Sequence, residues 1–193
     1  MSATKKDLPV RRFPSRAAWH KWLAANHERL PGVWIEMAKK GSGHSSVTHA
    51  EALEVAICYG WIDSQSNSVD ERWYRQRFTP RRARSRWSKI NCAAVERMHT
   101  EGLLAPAGVR EMEAAKRDGR WAAAYASPAA ITVPPDLEAR LAKSPRARRA
   151  FEQLDGRNRY AILYRLHDAK RPETRQRRLE QFVAMLEAGR TLH

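Results

Sequence analysis

Two cysteines, Cys58 and Cys92, are all that this chain of 193 residues contains. So small a number excludes a disulfide framework, and neither stands at metal-ligand spacing from a second ligand residue, so no metal site is expected. Their apolar helical surroundings mark them as buried free thiols, suited to a reducing compartment. No apolar run approaches membrane-spanning length, and the stretch from Met1 to Val10 carries lysines but no apolar leader segment. A cytoplasmic protein without membrane insertion is the expectation. Negative charge is scarce as well, with 21 Asp and Glu against 36 Lys and Arg. The Walker and dinucleotide glycine spacings are missing, as are helix-turn-helix, zinc-finger and RNP signatures. No His, Cys or Ser stands in a recognisable nucleophile arrangement, so neither catalysis nor a cofactor is expected.

What remains is a chain long enough for one good core, or for one domain with a smaller one appended. Its net charge of +15 opposes compactness unless an anionic partner or a dispersed surface absorbs it. The charge is clustered: residues 71–91 hold eight basic side chains against one acidic, whereas residues 41–70 hold four acidic and no Lys or Arg. From Cys58 to Asn91 the chain interleaves aromatic, basic and hydroxyl residues. That composition suits a surface that meets something anionic, such as nucleic acid or a small phosphate or carboxylate ligand.

In chain order, Ser15 is a good N-cap for a helix with Trp19, Trp22, Leu23 and Asn26 on one face. Val33 to Ala38 reads as a short strand by its period-two pattern. Lys39 and Lys40 open a glycine-containing loop, and Thr48 with Glu51 makes the spacing of a capping box for a second helix that buries Leu53, Ala56 and Ile57. Strand, lysine-bearing turn and helix N-terminus together have some phosphate-site character, beside the plainer reading of a solvated turn. Gly60 should end that helix in the left-handed conformation. Trp61 to Ser66 and Arg72 to Thr79 then form two strands around a turn at residues 67–70. If Trp61, Asp63 and Gln65 share a face with Trp73, Arg75, Arg77 and Thr79, Asp63 lies near Arg75 or Arg77, as a cross-strand ion pair or as the orienter of an arginine that grips an oxyanion. Arg81, Arg82, Arg84 and Arg86 crowd the loop before Ser88, the expected N-cap of a third helix with Ile90, Ala94, Val95 and Met98 inward. Trp87 either caps a flat ligand or plugs the core.

Beyond the proline-rich stretch from Ser127 to Pro135 the pattern is helical throughout. Asp136 is expected to cap one short helix, and Ser144 with Pro145 to open the next. Asp155 and Gly156 make a turn before a third stripe, and Leu179, Phe182, Val183 and Leu186 mark the last helix. The fold class is therefore α+β: a small antiparallel sheet of about three strands flanked by helices in residues 1–127, followed by an all-helical subdomain in residues 128–193.

Gly60, Trp61, Ile62 and Asp63, then the run Arg77, Phe78, Thr79, Pro80, Arg81, Arg82 with Ser85, Trp87, Ser88 and Asn91, and later Glu173, Thr174, Arg175 and Arg178, resemble the bacterial YdeI/OmpD-associated family, also called the bacteriocin-protection family. The resemblance runs from about Phe13 to Gly189. It implies a link to envelope stress or to tolerance of cationic peptides and bacteriocins, and brings no reaction, cofactor or catalytic residue with it. Three readings follow. In the first, a cytoplasmic protein binds a polyanion through an Arg/Trp-rich surface. In the second, an enzyme or receptor takes a small anion with Asp63 as base or orienter and with Arg75, Arg77 and Arg81 as its grip. In the third, the motif is structural in a protein-interaction module. The candidate ligand-binding residues are Lys39, Lys40, Trp61, Asp63, Arg75, Arg77, Arg81, Arg82, Ser85, Trp87, Ser88 and Asn91, with Asp63 the one catalytic candidate. Oligomeric state is not readable from the sequence.

Overall fold

The computed structural model describes residues 8–193. Residues 1–7, on which the expectation about a leader segment largely falls, lie outside the described residues. The chain clusters into two compact units: the described residues up to Trp87 with Asn91–Ala123, and Ser88–Ile90 with Ala124–His193. No helix among the described residues is long and apolar enough to cross a membrane.

The first unit is built on a four-stranded sheet of β1 (Val10–Arg12), β2 (Val33–Ala38), β3 (Trp61–Ser68) and β4 (Trp73–Pro80), in the order β1-β2-β4-β3. The α+β class is as expected, but the strand count and the purely antiparallel arrangement are not. β1 pairs parallel with β2 and makes the sheet mixed. Three exposed residues, two of them arginines, give no period-two signal. The strand exists because Trp34 N–H donates to Pro9 O at 2.9 Å and Arg12 pairs with Glu36 across the sheet.

Helix α1 (Arg16–Asn26) begins where the Ser15 hydroxyl accepts from Ala18 N–H, and it buries Trp19 and Leu23 completely. The Trp19 indole donates to Ala52 O at 3.0 Å and packs on Phe78 of the sheet. Helix α2 (His49–Cys58) has the full capping box from Thr48 and Glu51. Its buried face is Ala52, Val55, Ala56, Ile57 and Cys58, whereas the expected Leu53 is only half buried. So apolar a helix leaves its stripe ambiguous by one position, and the neighbours decide. Gly60 closes it with φ +71. The hairpin turns two residues later than expected, because Asp70 Oδ1 accepts from both Arg72 and Trp73 N–H.

Helix α3 (Lys89–Thr100) buries Cys92, Val95 and Met98. Ile90, expected inward, is exposed; two residues before Cys92, it sits roughly 200° around the helix from that stripe. Both thiols are buried and free, and burial pushes the Cys92 thiol up to about 11. Helix α4 (Pro106–Arg117) crosses the end of α2 at Gly108.

The second unit holds α5 (Pro135–Ala142), α6 (Pro145–Glu152), α7 (Gly156–Asp168) and α8 (Pro172–Glu187) around Leu137, Phe151, Ile162, Leu166, Leu179 and Leu186. Ser144 and Asp155 cap α6 and α7 as side-chain acceptors. Asp136, expected as a cap, lies inside the first turn of α5; Pro134 takes the cap position. The Asp136 carboxylate instead accepts from Arg175 Nε at 2.6 Å and Nη2 at 2.8 Å, which holds its pKa below the usual carboxylate range.

Candidate functional site

Pairing register sorts the sheet residues onto two faces, since directly opposed residues project to the same side. Val33, Ile35 and Met37 of β2 and Gln76 and Phe78 of β4 lie on the face that meets α1 and α2. The opposite face carries Arg12 of β1, Trp34 and Glu36 of β2, and Trp73, Arg75 and Arg77 of β4. There the guanidiniums lie over indoles: Arg75 and Arg77 stand 5.1 and 5.9 Å from the Trp34 ring, and Arg12 stands 4.1 Å from that of Trp73. Stacking holds a guanidinium flat while leaving its N–H edges available to an anion. The carboxylate of this face, Glu36, is engaged by Arg12 Nε at 2.8 Å. Arg77 Nε donates to Ser64 Oγ. Neither Arg75 nor Arg77 has a carboxylate partner among the described residues.

Asp63 is not where the shared-face expectation puts it. It is paired opposite Phe78, on the inner face, and a bulge between Asp63 and Ser66 displaces Gln65 from the alternation. A one-residue change of register reverses every side chain, so Arg75 and Arg77 point to the other side of the sheet from Asp63. Arg81 is separated from both. It is buried, donates from Nη1 to Arg86 O at 3.0 Å and lies 3.6 Å over the Trp87 ring. Trp61 and Trp87 are core residues, 1% and 2% exposed. Trp61 donates to His27 O, and Trp87 packs on Trp121. Ser85 shapes the basic loop, its hydroxyl accepting from Arg82 N–H at 2.8 Å, and Arg82 itself is exposed. Ser88 is buried and bridged to Tyr125, while Asn91 is half buried in the first turn of α3. Lys39 is committed to Ser68 Oγ and Asp70 O, which ties its loop to the hairpin; Lys40 is exposed.

The residue that sequence reasoning missed is His49. Its Nε2–H donates to Asp63 Oδ2 at 2.9 Å, and Gln76 Nε2 approaches the same oxygen at 3.5 Å. The signal was present only as a histidine in the first turn of α2, since nothing in spacing links it to a strand 14 residues on. The hydrogen bond that His49 donates to Asp63 is the main cause that raises the His49 pKa above its ordinary value of 6.5. In an NMR titration His49 should therefore protonate above that value, and Asp63→Asn should bring it back down. Because the folded value is raised, the stability this pair contributes is complete below about 6.5 and is lost as pH rises through the raised value. An unchanged His49 titration in Asp63→Asn would show that the pair does not form. No group of three or more His, Cys, Asp or Glu that could hold a metal occurs among the described residues.

Fold and face together define an α+β protein that presents stacked arginines on one side of a mixed sheet and carries a helical C-terminal region. The chain belongs to the family described as a domain of unknown function, DUF8412, whose model matches residues 11–111. Residues 130–189 match the family described as bacteriocin-protection, YdeI or OmpD-associated, so a domain of that type is present in the helical region. The Gly60–Asp63 motif and the arginine run from Arg77 to Arg86 fall within the first match, not the second. No curated protein and no solved structure matches the chain.

Proposed function

We propose that the protein binds a polyanion, with nucleic acid as the ligand class, through the outer face of its sheet, and that it acts in the cytoplasm without catalysing a reaction. The observation that carries this reading is the pair Arg75 and Arg77, stacked over Trp34 and without a carboxylate partner among the described residues. Charge-assisted N–H bonds to phosphate oxygens are strong and geometrically suited to a guanidinium edge. Arg12 adds a third guanidinium to the face. Trp34 is 8% exposed and Trp61 and Trp87 are buried, so base stacking on these indoles contributes little and affinity rests on charge. On this reading, any protective role of the kind named for the C-terminal domain acts through an anionic target inside the cell, since a basic protein is a poor direct sink for cationic peptides.

Fluorescence anisotropy with labelled single- and double-stranded oligonucleotides, between about 50 and about 200 mM salt, tests it. Three arginine contacts to a single strand predict a log–log salt slope of roughly −2, and the double substitution Arg75→Gln/Arg77→Gln should reduce the slope's magnitude by about 1.4. Equal slopes for wild type and double variant would exclude this face. A loss confined to Arg82→Gln/Arg84→Gln would move the contact to the loop. Salt-tolerant binding of a small phosphate or carboxylate, abolished by Asp63→Asn, would support the small-ligand reading instead.

A further inference from the structure

The first unit also holds a cavity of about 450 Å³, distinct from the sheet face, lined by Arg16, Ala17 and His20 of α1, Cys58 at the end of α2, Met98 of α3 and Leu103 just beyond it. Cavities of roughly this size are those in which small molecules bind. Its floor is soft and apolar. The Cys58 thiol donates to Met98 Sδ at 3.3 Å, and thioether and thiol groups adapt their packing to the shape of what they meet. Leu103 is 55% exposed, one of four exposed large apolar side chains among the described residues. An isolated exposed leucine needs no explanation, but one that lines a cavity extends an apolar lumen to its mouth.

The polar part of the lining consists of nitrogen groups. Arg16 gives Nη2 to Glu54 at 3.2 Å, and its other guanidinium nitrogens have no partner among the described residues. His20 Nε2 meets the Tyr59 hydroxyl at 3.2 Å. When that hydroxyl donates, the neutral imidazole carries its proton on Nδ1 and becomes a donor. None of the described lining residues is acidic; the Glu54 carboxylate holds one edge of the Arg16 guanidinium. An apolar lumen with a guanidinium and an imidazole among its walls, and no acidic residue among its described lining, complements one class of molecule.

We propose that this cavity is a binding site for a small apolar monocarboxylate of the medium-chain type. Its carboxylate meets Arg16 and His20, and its hydrocarbon runs over Cys58 and Met98 toward Leu103. The site stands independently of the reading of the sheet face.

Octanoate, octanol and octylamine, titrated calorimetrically into the full chain while the Met98 methyl resonance is followed, provide the test. Octanoate should bind saturably and shift the Met98 methyl, octanol should bind about tenfold more weakly or worse, and octylamine should not bind. Arg16→Gln should weaken octanoate about tenfold. Ala17→Trp should fill the lumen and abolish binding. Leu103→Glu changes a side chain that is 55% exposed, so it keeps the test valid should Ala17→Trp fail to fold. It should weaken octanoate and admit octylamine. The proposal is overturned if octanoate does not saturate, if octanol or octylamine binds as well, if the Met98 methyl stays in place, or if both Arg16→Gln and Leu103→Glu leave affinity unchanged.

Discussion

Gly108→Ala should be among the most damaging single-methyl changes in the first unit, lowering stability by about 3 kcal/mol. In an ordinary helix interior the same change adds stability, about 0.5–1 kcal/mol, because alanine has less backbone freedom to lose on folding. Here a Cβ at Gly108 would lie 2.2 Å from Cys58 O and 2.9 Å from Cys58 C. Both are backbone atoms, which cannot rotate out of the way as a side chain does. The carbonyl is held from a second side, since Ala105 N–H donates to Cys58 O at 3.1 Å. Gly60, which closes α2, has a matching restriction: its Cβ would come within 3.1 Å of Ala107 O, and its φ is +71. α4 would therefore have to back away from α2, loosening the buried Met112 and Ala115 behind it. Chemical denaturation measures the loss, and a fall in Tm of about 6–12 °C should accompany it. Gly156→Ala is the control, because nothing lies within 4 Å of its Cβ position; it should be neutral or slightly stabilising. If Gly108→Ala behaves like Gly156→Ala, the close crossing of α2 and α4 is absent.

Asn158→Leu should cost about 2–3 kcal/mol, although the two side chains are similar in size. Asn158 is 4% exposed, so water cannot replace the bonds it makes. Its Oδ1 accepts from Leu192 and His193 N–H, each at 3.0 Å. Its Nδ2 donates to the two carboxylate oxygens of Asp155 at 3.1 and 3.2 Å. One amide thus ties the segment after α8 to the N-terminus of α7. Leucine leaves two backbone donors and one carboxylate without these partners, and the segment detaches to find water. Hydrogen exchange at the Leu192 and His193 amides should accelerate strongly, together with the loss of stability. Protected amides in Asn158→Leu would show that something else holds the segment.

The candidate face and the acid-base pair belong to different sides of one sheet. That separation bears directly on function. A pocket that joined Asp63 to Arg75, Arg77 and Arg81 would have favoured small-anion chemistry, whereas Arg75 and Arg77 now stand over Trp34, Arg81 over Trp87, and Asp63 against His49. The arginines of the basic segment meet different fates: Arg81 is a packing element, Arg82 is exposed, and Arg75 and Arg77 are stacked and half buried.

The sequence by itself determined whatever is decided within a few residues. Ser15 and Ser144 cap their helices, Thr48 and Glu51 close a capping box, and Gly60 takes the left-handed conformation, whereas Asp136 falls inside the first turn of α5 and Asp155, read as a turn residue, is itself a cap. These contacts span three or four positions, so side-chain chemistry and spacing suffice to read them. Period-two alternation likewise revealed β2 and the hairpin, and the Leu179 to Leu186 stripe revealed α8. Only the tertiary structure decided what depends on a partner far along the chain. The parallel pairing of β1 to β2, the inner position of Asp63 and its bond to His49 follow from strand register, and a shift of one residue reverses a face without changing any local preference. The same holds for charge. An arginine's composition is identical on a wet surface and over a tryptophan, and which of the two it becomes is settled by what the rest of the fold brings beside it.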